Sequence, residues 1–163
     1  MADDKGSAVP QQQQQQRQEK EEEQTASLNQ ELAPALELLV VEPWFSLLQQ
    51  GYKTVEGRLA RNPKYEQVLE EGSIIVFRHN PSHQLLDKST QANASFKARV
   101  TRVRKYTSFE QYLTREGLGV CLPGVASIKD GVAVYRQFYT KEDEEAFGVL
   151  AIHIDVEAAA TAK

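Results

Sequence analysis

Four polar side chains fall within six residues of the segment Gly51-Tyr52-Lys53-Thr54-Val55-Glu56-Gly57-Arg58. Lys53 brings an ammonium and Arg58 a planar guanidinium. Glu56 brings a carboxylate that only accepts hydrogen bonds, and Thr54 a hydroxyl that both donates and accepts. The set suits an anionic or heteroaromatic ligand. The same residues would also fit a twisted strand with Lys53, Thr54 and Glu56 in solvent and Arg58 in a surface ion pair worth about 0–1 kcal/mol. A second group is Lys97, Arg99, Arg102, Arg104 and Lys105, with no acid among them and with Phe96 and Tyr106 at the ends. The apolar phase slips by one residue before Val103. A bulge near Thr101–Arg102 would therefore put Lys97, Arg99, Arg102 and Arg104 on one strand face, a track for a phosphate backbone. A half-solvated strand shows charges outward in the same way.

The elements that must position these groups read as follows. Leu36 to Val41 is almost continuously apolar and too short for an independent helix, which predicts a strand buried on both faces. Pro43 is shaped for the first position of a helix and Gly51 for its stop, so a short helix over Pro43–Gln50 hands the motif to a strand from Lys53 to Leu59. A further short helix is expected over Pro63–Glu71 and a strand over Ser73–His79, rich in β-branched and aromatic residues. Asn80 to Asn93 reads as a long loop. Hydroxyl residues followed three positions later by a carboxylate, at Thr107/Glu110, Ser127/Asp130 and Thr140/Asp143, predict three helix starts. In the second of these helices Ile128, Val132, Tyr135 and Tyr139 form one stripe, which assigns both tyrosines to the core. Gly148 to Val156 is a closing strand.

Composition sets the frame. Residues 1–34 hold the Gln11–Gln16 run and a Glu/Gln/Lys-rich stretch with almost nothing apolar to bury, so they are expected to be a disordered tail with at most transient helix near Arg17–Gln30. The tail carries seven acids and three bases, leaving the remaining chain sixteen of each (23 − 7 and 19 − 3). A folded part that is neutral overall argues against gripping duplex DNA by bulk charge. The single cysteine, Cys121, excludes an internal disulfide and is assigned to packing. Of the three histidines only His79 and His83 have ligand spacing, and Pro81 breaks any helix between them, so no metal is expected. No apolar run approaches the roughly 20 residues that span a bilayer and no secretory leader is visible, so the expected setting is soluble, cytoplasmic and/or nuclear. Strands outnumber long helices and do not alternate regularly with them. The expected fold is α+β, a small mixed barrel with short flanking helices.

Several separated blocks resemble the ASCH domain, a family within the PUA-like group of β-barrels. They are Glu-Pro-Trp-Phe before Gly51–Arg58, Gly72-Ser-Ile-Ile-Val-Phe77, Tyr106-Thr-Ser-Phe109, Leu122-Pro-Gly-Val125, and Val134-Tyr-Arg-Gln-Phe-Tyr139 leading to Gly148-Val-Leu-Ala-Ile152. The resemblance runs along nearly all of 36–156, which sets the domain at 35–157 between the tail of 1–34 and a short disordered end at 158–163. It implies a barrel with a cleft lined by the helix-to-strand motif and, as ligand, RNA, single-stranded nucleic acid or a modified nucleoside or nucleotide. Lys53, Thr54, Glu56 and Arg58 then become ligand-binding candidates, with Trp44, or else Tyr106, as a stacking face worth about 1–3 kcal/mol per base.

One branch of the family resembles an amidohydrolase acting on N4-acetylcytidine. Its lysine matches Lys53, but its nucleophilic threonine falls on Glu56, which departs from that chemistry. Glu116 lies nearest to the branch's glutamate and is not assigned. Catalysis by Lys53 and Glu56 is therefore the weaker reading, as a hydrolase of RNA or of an acylated cytidine, and binding the stronger. A third reading is a protein-interaction adaptor in transcription coactivation, using the tail. No cofactor is expected, and the chain is expected to be a monomer.

Overall fold

In the computed structural model the described residues are 15–22, 36–81 and 94–157. The chain divides into two units, Met1–Ala33 and Pro34–Lys163. In the first, residues 15–22 form a solvent-exposed helix, α1, which overlaps the stretch expected to be transiently helical. The expectations of disorder for the rest of 1–34 and for 158–163, and most of the 80–93 loop with His83, lie outside the described residues.

The second unit carries the elements β1 (Leu36–Val40), α2 (Trp44–Gln49), β2 (Val55–Leu59), α3 (Pro63–Val68), β3 (Ile74–His79), β4 (Ser95–Tyr106), α4 (Phe109–Glu116), α5 (Leu118–Cys121), α6 (Ile128–Arg136), α7 (Lys141–Phe147) and β5 (Val149–Val156). The five strands form one sheet in the order β1-β3-β4-β5-β2. Only β1 and β3 run parallel; the other pairs are antiparallel. The sheet curls into a half-barrel, so the architecture is the α+β, PUA-like form expected.

Two apolar cores lie on opposite faces of this sheet. On the concave face Leu38 and Val40 of β1, Ile75 and Phe77 of β3, Ala98 and Val100 of β4, and Leu150, Ile152 and Ile154 of β5 close around Phe45 and Leu48 of α2. On the convex face Val55, Leu59, Val149 and Ala151 pack against Phe109, Tyr112 and Leu113 of α4, then Cys121, Leu122 and Tyr135. β5 thus faces apolar side chains on both sides, which is why Val149 to Ile152 has no polar residue to alternate. The strand predicted to be buried on both faces, β1, is instead an edge strand covered on one. Leu39 is 55% exposed while Leu38 and Val40 are buried.

Strand β4 shifts register between Val100 and Arg102 against β5, where the slip in apolar phase predicted a bulge. The first cap differs from expectation by one residue. Ser108, not Thr107, accepts from the Gln111 backbone N–H, and the Gln111 side chain accepts from the Thr107 backbone N–H. Ser127 and Thr140 cap α6 and α7 as predicted. Cys121 is buried, its thiol pushed up by burial first of all.

Candidate functional site

Helix α2 ends at Gly51, whose φ of +81° suits glycine, and Leu47 accepts hydrogen bonds from the Tyr52 and Lys53 backbone N–H groups. That turn sends Lys53 inward. Although a lysine, it is only 2% exposed. Its Nζ donates to the Val55 carbonyl at 2.6 Å and to the Cys121 carbonyl, the last of α5, at 2.5 Å, and lies 3.4 Å from Glu56 Oε2. Two of the three ammonium donors are thus hydrogen-bonded within the protein, and the charge is answered by the Glu56 carboxylate.

Along β2 the side chains alternate. Val55, Gly57 and Leu59 face the helices, and Glu56 and Arg58, paired with Ile152 and Leu150, take the concave side. Glu56 is 6% exposed. Its Oε1 accepts from Arg58 Nε at 3.1 Å, while Oε2 has no aligned hydrogen bond. The Arg58 guanidinium also reaches out of its own strand and donates from Nη2 to the Leu39 carbonyl of β1 at 2.7 Å. Burial acts to lower the Arg58 pKa, but the Glu56 charge, helped by Tyr139, Tyr65 and Tyr135, outweighs it and holds the guanidinium above its ordinary value.

These groups line a cavity of about 310 Å³ between β1, β2 and the end of α6. Its polar side is Lys53, Glu56, Arg58 and Asn80; its aromatic side is Trp44, Tyr135, Phe138 and Tyr139. Leu39 at 55% and Phe138 at 42% exposure mark where it meets solvent. Trp44 takes both roles weighed for it, packing against the two cores and lining the cavity. Gly57 lets the wall come close. A Cβ there would lie 2.8 Å from a Tyr112 ring carbon and 2.9 Å from the Tyr135 hydroxyl. Burial drives the Tyr112 and Tyr135 phenols well above their ordinary range, and it also raises Tyr139, against the pull of Arg58. The two buried hydroxyls sit 3.2 Å apart, and the Tyr112 hydroxyl donates to the Val55 carbonyl at 3.3 Å.

The structure therefore brings Trp44, Lys53, Glu56 and Arg58 together. Thr54 is elsewhere, on a second hollow with Gln49, Gln50 and Asp155, as the alternation of an extended segment requires. Sequence reasoning missed the α6 end as a cavity wall. Its signal was the aromatic density of Tyr135, Phe138 and Tyr139, which the stripe at helical spacing assigned wholly to the core.

The basic group on β4 is exposed, and Lys97, Arg99, Arg102 and Arg104 do share a face across the bulge. Acids from other elements answer three of the five bases. Arg99 pairs with Glu157 at 3.2 Å, Lys105 with Glu66 at 2.7 Å, and Arg104 approaches Glu116 at 3.8 Å. Glu116 is buried on the convex face, accepting from the Tyr106 hydroxyl at 2.5 Å and lying 2.7 Å from His153 Nε2. That histidine contact makes no aligned hydrogen bond. Neither Glu116 nor Tyr106 lines the cavity.

Among the described residues no group of three or more His, Cys, Asp or Glu side chains is placed to hold a metal, and no helix is long and apolar enough to cross a membrane. The chain is similar to two solved structures. The crystal structure of hypothetical protein PH0355 is 35% identical, covers 75% of this chain and 98% of its own, and has a TM-score of 0.60. The solution structure of protein PF0455 from Pyrococcus furiosus is 34% identical, covers 74% of this chain and 96% of its own, and has a TM-score of 0.53. No curated protein matches the chain. The family model of the ASCH domain matches residues 38–157, and on that match the chain belongs to the ASCH domain family.

Proposed function

We propose that this ASCH domain binds single-stranded RNA, or a nucleotide, with one base held in the cavity beside Lys53, Glu56 and Arg58. Membership of the family supports RNA binding or a related role in general terms. The observation that carries the finer reading is the meeting of a part-buried Arg58–Glu56 pair with four aromatic side chains around one small cavity. Binding pockets span about 300–1,000 Å³, and this one is at the lower end, the size for a single nucleoside rather than a folded element. The aromatic side offers faces for stacking, and the paired charges offer an edge for hydrogen bonding. On β4, Lys97 and Arg102 have no carboxylate partner among the described residues, and they are the bases best placed to meet a phosphate backbone.

Hydrolysis has less support from the geometry. The position of the enzyme branch's nucleophile is Glu56, which is engaged by Arg58 and Lys53, and Thr54 lies outside the cavity.

Trp44 is the sole tryptophan and lines the cavity, so its fluorescence reports occupancy directly. Titration with short single-stranded RNAs is expected to change that emission, and Arg58→Ala to weaken binding by about 1–3 kcal/mol while the fold is kept. Unchanged emission at saturating RNA, or an Arg58→Ala protein that binds as tightly as the parent, would remove the assignment.

A further inference from the structure

Which end of a nucleotide enters the cavity is decided by the donors and acceptors still open there. Lys53 is committed to the protein, two of its three donors being held by carbonyls and its charge lying 3.4 Å from Glu56. Arg58 can only donate, and it has already given Nε to Glu56 and one Nη2 hydrogen to Leu39. Glu56 can only accept. Its carboxylate has room for about four hydrogen bonds, yet one aligned bond is made, and Oε2 has only the Lys53 charge 3.4 Å away with no aligned hydrogen bond. A site built this way is short of an N–H donor from the ligand. It also offers N–H groups of Arg58 to a neighbouring acceptor.

A phosphate satisfies only half of this. Its oxygens would suit Arg58 but would be set against the Glu56 carboxylate, and the four aromatic side chains of the wall would gain nothing from it. A heterocycle carrying an N–H next to a carbonyl or ring nitrogen meets both groups and covers the aromatic faces. The formal charges of Lys53, Glu56 and Arg58 sum to +1 (two cations less one anion), which disfavours a cationic base.

We infer that the base enters and the phosphate stays out: the Glu56 carboxylate accepts from an N–H on the reading edge of a neutral nucleobase, Arg58 donates to the acceptor beside it, and bases alkylated at that N–H or carrying a positive charge are refused. This rests on the nucleobase reading of the cavity. The two exposed apolar residues of the lining, Leu39 on β1 and Phe138 after α6, then flank the entering sugar-phosphate at the rim.

The test leaves the protein unaltered and changes the ligand. Trp44 emission is followed with the four ribonucleosides and their 5′-monophosphates, with 3-methyluridine, 1-methylguanosine, N4,N4-dimethylcytidine and N6,N6-dimethyladenosine, with cationic 1-methyladenosine, and with inorganic phosphate as competitor. At least one parent nucleoside should bind. Its alkylated counterpart should bind at least about tenfold more weakly, because it has no N–H to donate to the carboxylate and sets an alkyl group against it. The monophosphate should lie within about threefold of the nucleoside, since its charge remains in water. Inorganic phosphate should not displace either. An alkylated base that binds as tightly as its parent, or phosphate that competes, overturns the orientation while leaving nucleotide binding in place. If no nucleoside or nucleotide alters the emission, the nucleobase reading itself falls, and this inference with it.

Discussion

Arg58 of β2 donates to the Leu39 carbonyl of β1, so that one guanidinium joins the two strands standing at opposite edges of the sheet. A half-barrel leaves its edge strands with unpaired backbone groups, and here the gap between them is the cavity. Arg58 and Glu56 on one side, Leu39 and Val40 on the other, make a seam bridged by a side chain where a complete barrel would have a ladder.

Arg58 should therefore matter to stability as well as to ligand. Removing one partner of a fully buried pair costs about 3–5 kcal/mol, and with the Arg58 side chain 17% exposed the expected loss for Arg58→Ala is about 2–3 kcal/mol. Arg58→Lys should recover only part of it, because a single ammonium does not reproduce the forked donation to Glu56 and Leu39. Urea unfolding midpoints measure both. A loss below about 0.5 kcal/mol for the alanine variant would show that the bridge carries no load.

Lys53→Met should be among the more damaging substitutions, at about 3–5 kcal/mol, since two carbonyls and a carboxylate lose their shared donor at once. Adding Glu56→Gln should restore part of the loss by removing the charge left behind. The double-mutant cycle reads this as a coupling of at least about 0.5 kcal/mol, and strict additivity would deny the contact.

Gly57→Ala tests the approach of the tyrosine wall. The new methyl would overlap the Tyr112 ring and the Tyr135 hydroxyl, and overpacking of this kind costs about 1–3 kcal/mol. A thermal midpoint equal to that of the parent would mean that the wall yields freely.

Salt dependence separates the basic residues of β4. If all five met phosphates, the log–log slope for single-stranded RNA would be near −3.5, at about 0.7 for each phosphate; with Lys97 and Arg102 alone it should be about −1.4. Lys97→Ala with Arg102→Ala should flatten the slope. Arg99→Ala should change it little, because Glu157 already answers that charge.

Alkaline pH should loosen the convex core. Burial holds the Tyr112 and Tyr135 phenols in their neutral form, so above the ordinary phenol pKa of about 10 the unfolded chain has released protons that the folded chain keeps. The unfolded state then binds fewer protons, and stability, intact below about pH 10, declines as pH rises beyond it. Urea midpoints across that range should fall less steeply in Tyr112→Phe than in the parent.

Much of this was legible in the sequence where one local force dominates. The bulge of β4 followed from the phase of Val100 and Val103, the stop of α2 from Gly51, and two of the three caps from Ser127 and Thr140. What misled was residue type serving two purposes. The Leu36–Val41 run looked buried on both faces because Leu38 and Val40 fill the core while Leu39 stands at the cavity rim. Tyr135 kept the spacing of a core stripe and yet reaches the cavity, because the stripe runs where the two meet. The rest depends on distant partners. Glu66, Glu116 and Glu157, which answer the β4 bases, and the Cys121 carbonyl, which holds Lys53, are far from their partners in sequence and come beside them only through tertiary packing.

The irregularity at Val100/Arg102 gives β4 one residue more than the strand it pairs with. On one side of it Ala98 and Val100 fill the concave core, and on the other Val103 resumes that duty while Arg102 and Arg104 turn outward. Excising Thr101 would join Val100 to Arg102 opposite Ile154 and His153 in unbroken register, leaving Arg102 and Arg104 outward and Val103 inward. What a chain shortened there by one amino acid would lose is the bend and added twist that the extra residue puts into the strand, so Thr101 shapes the curl of the sheet and does not choose which side chains fill it.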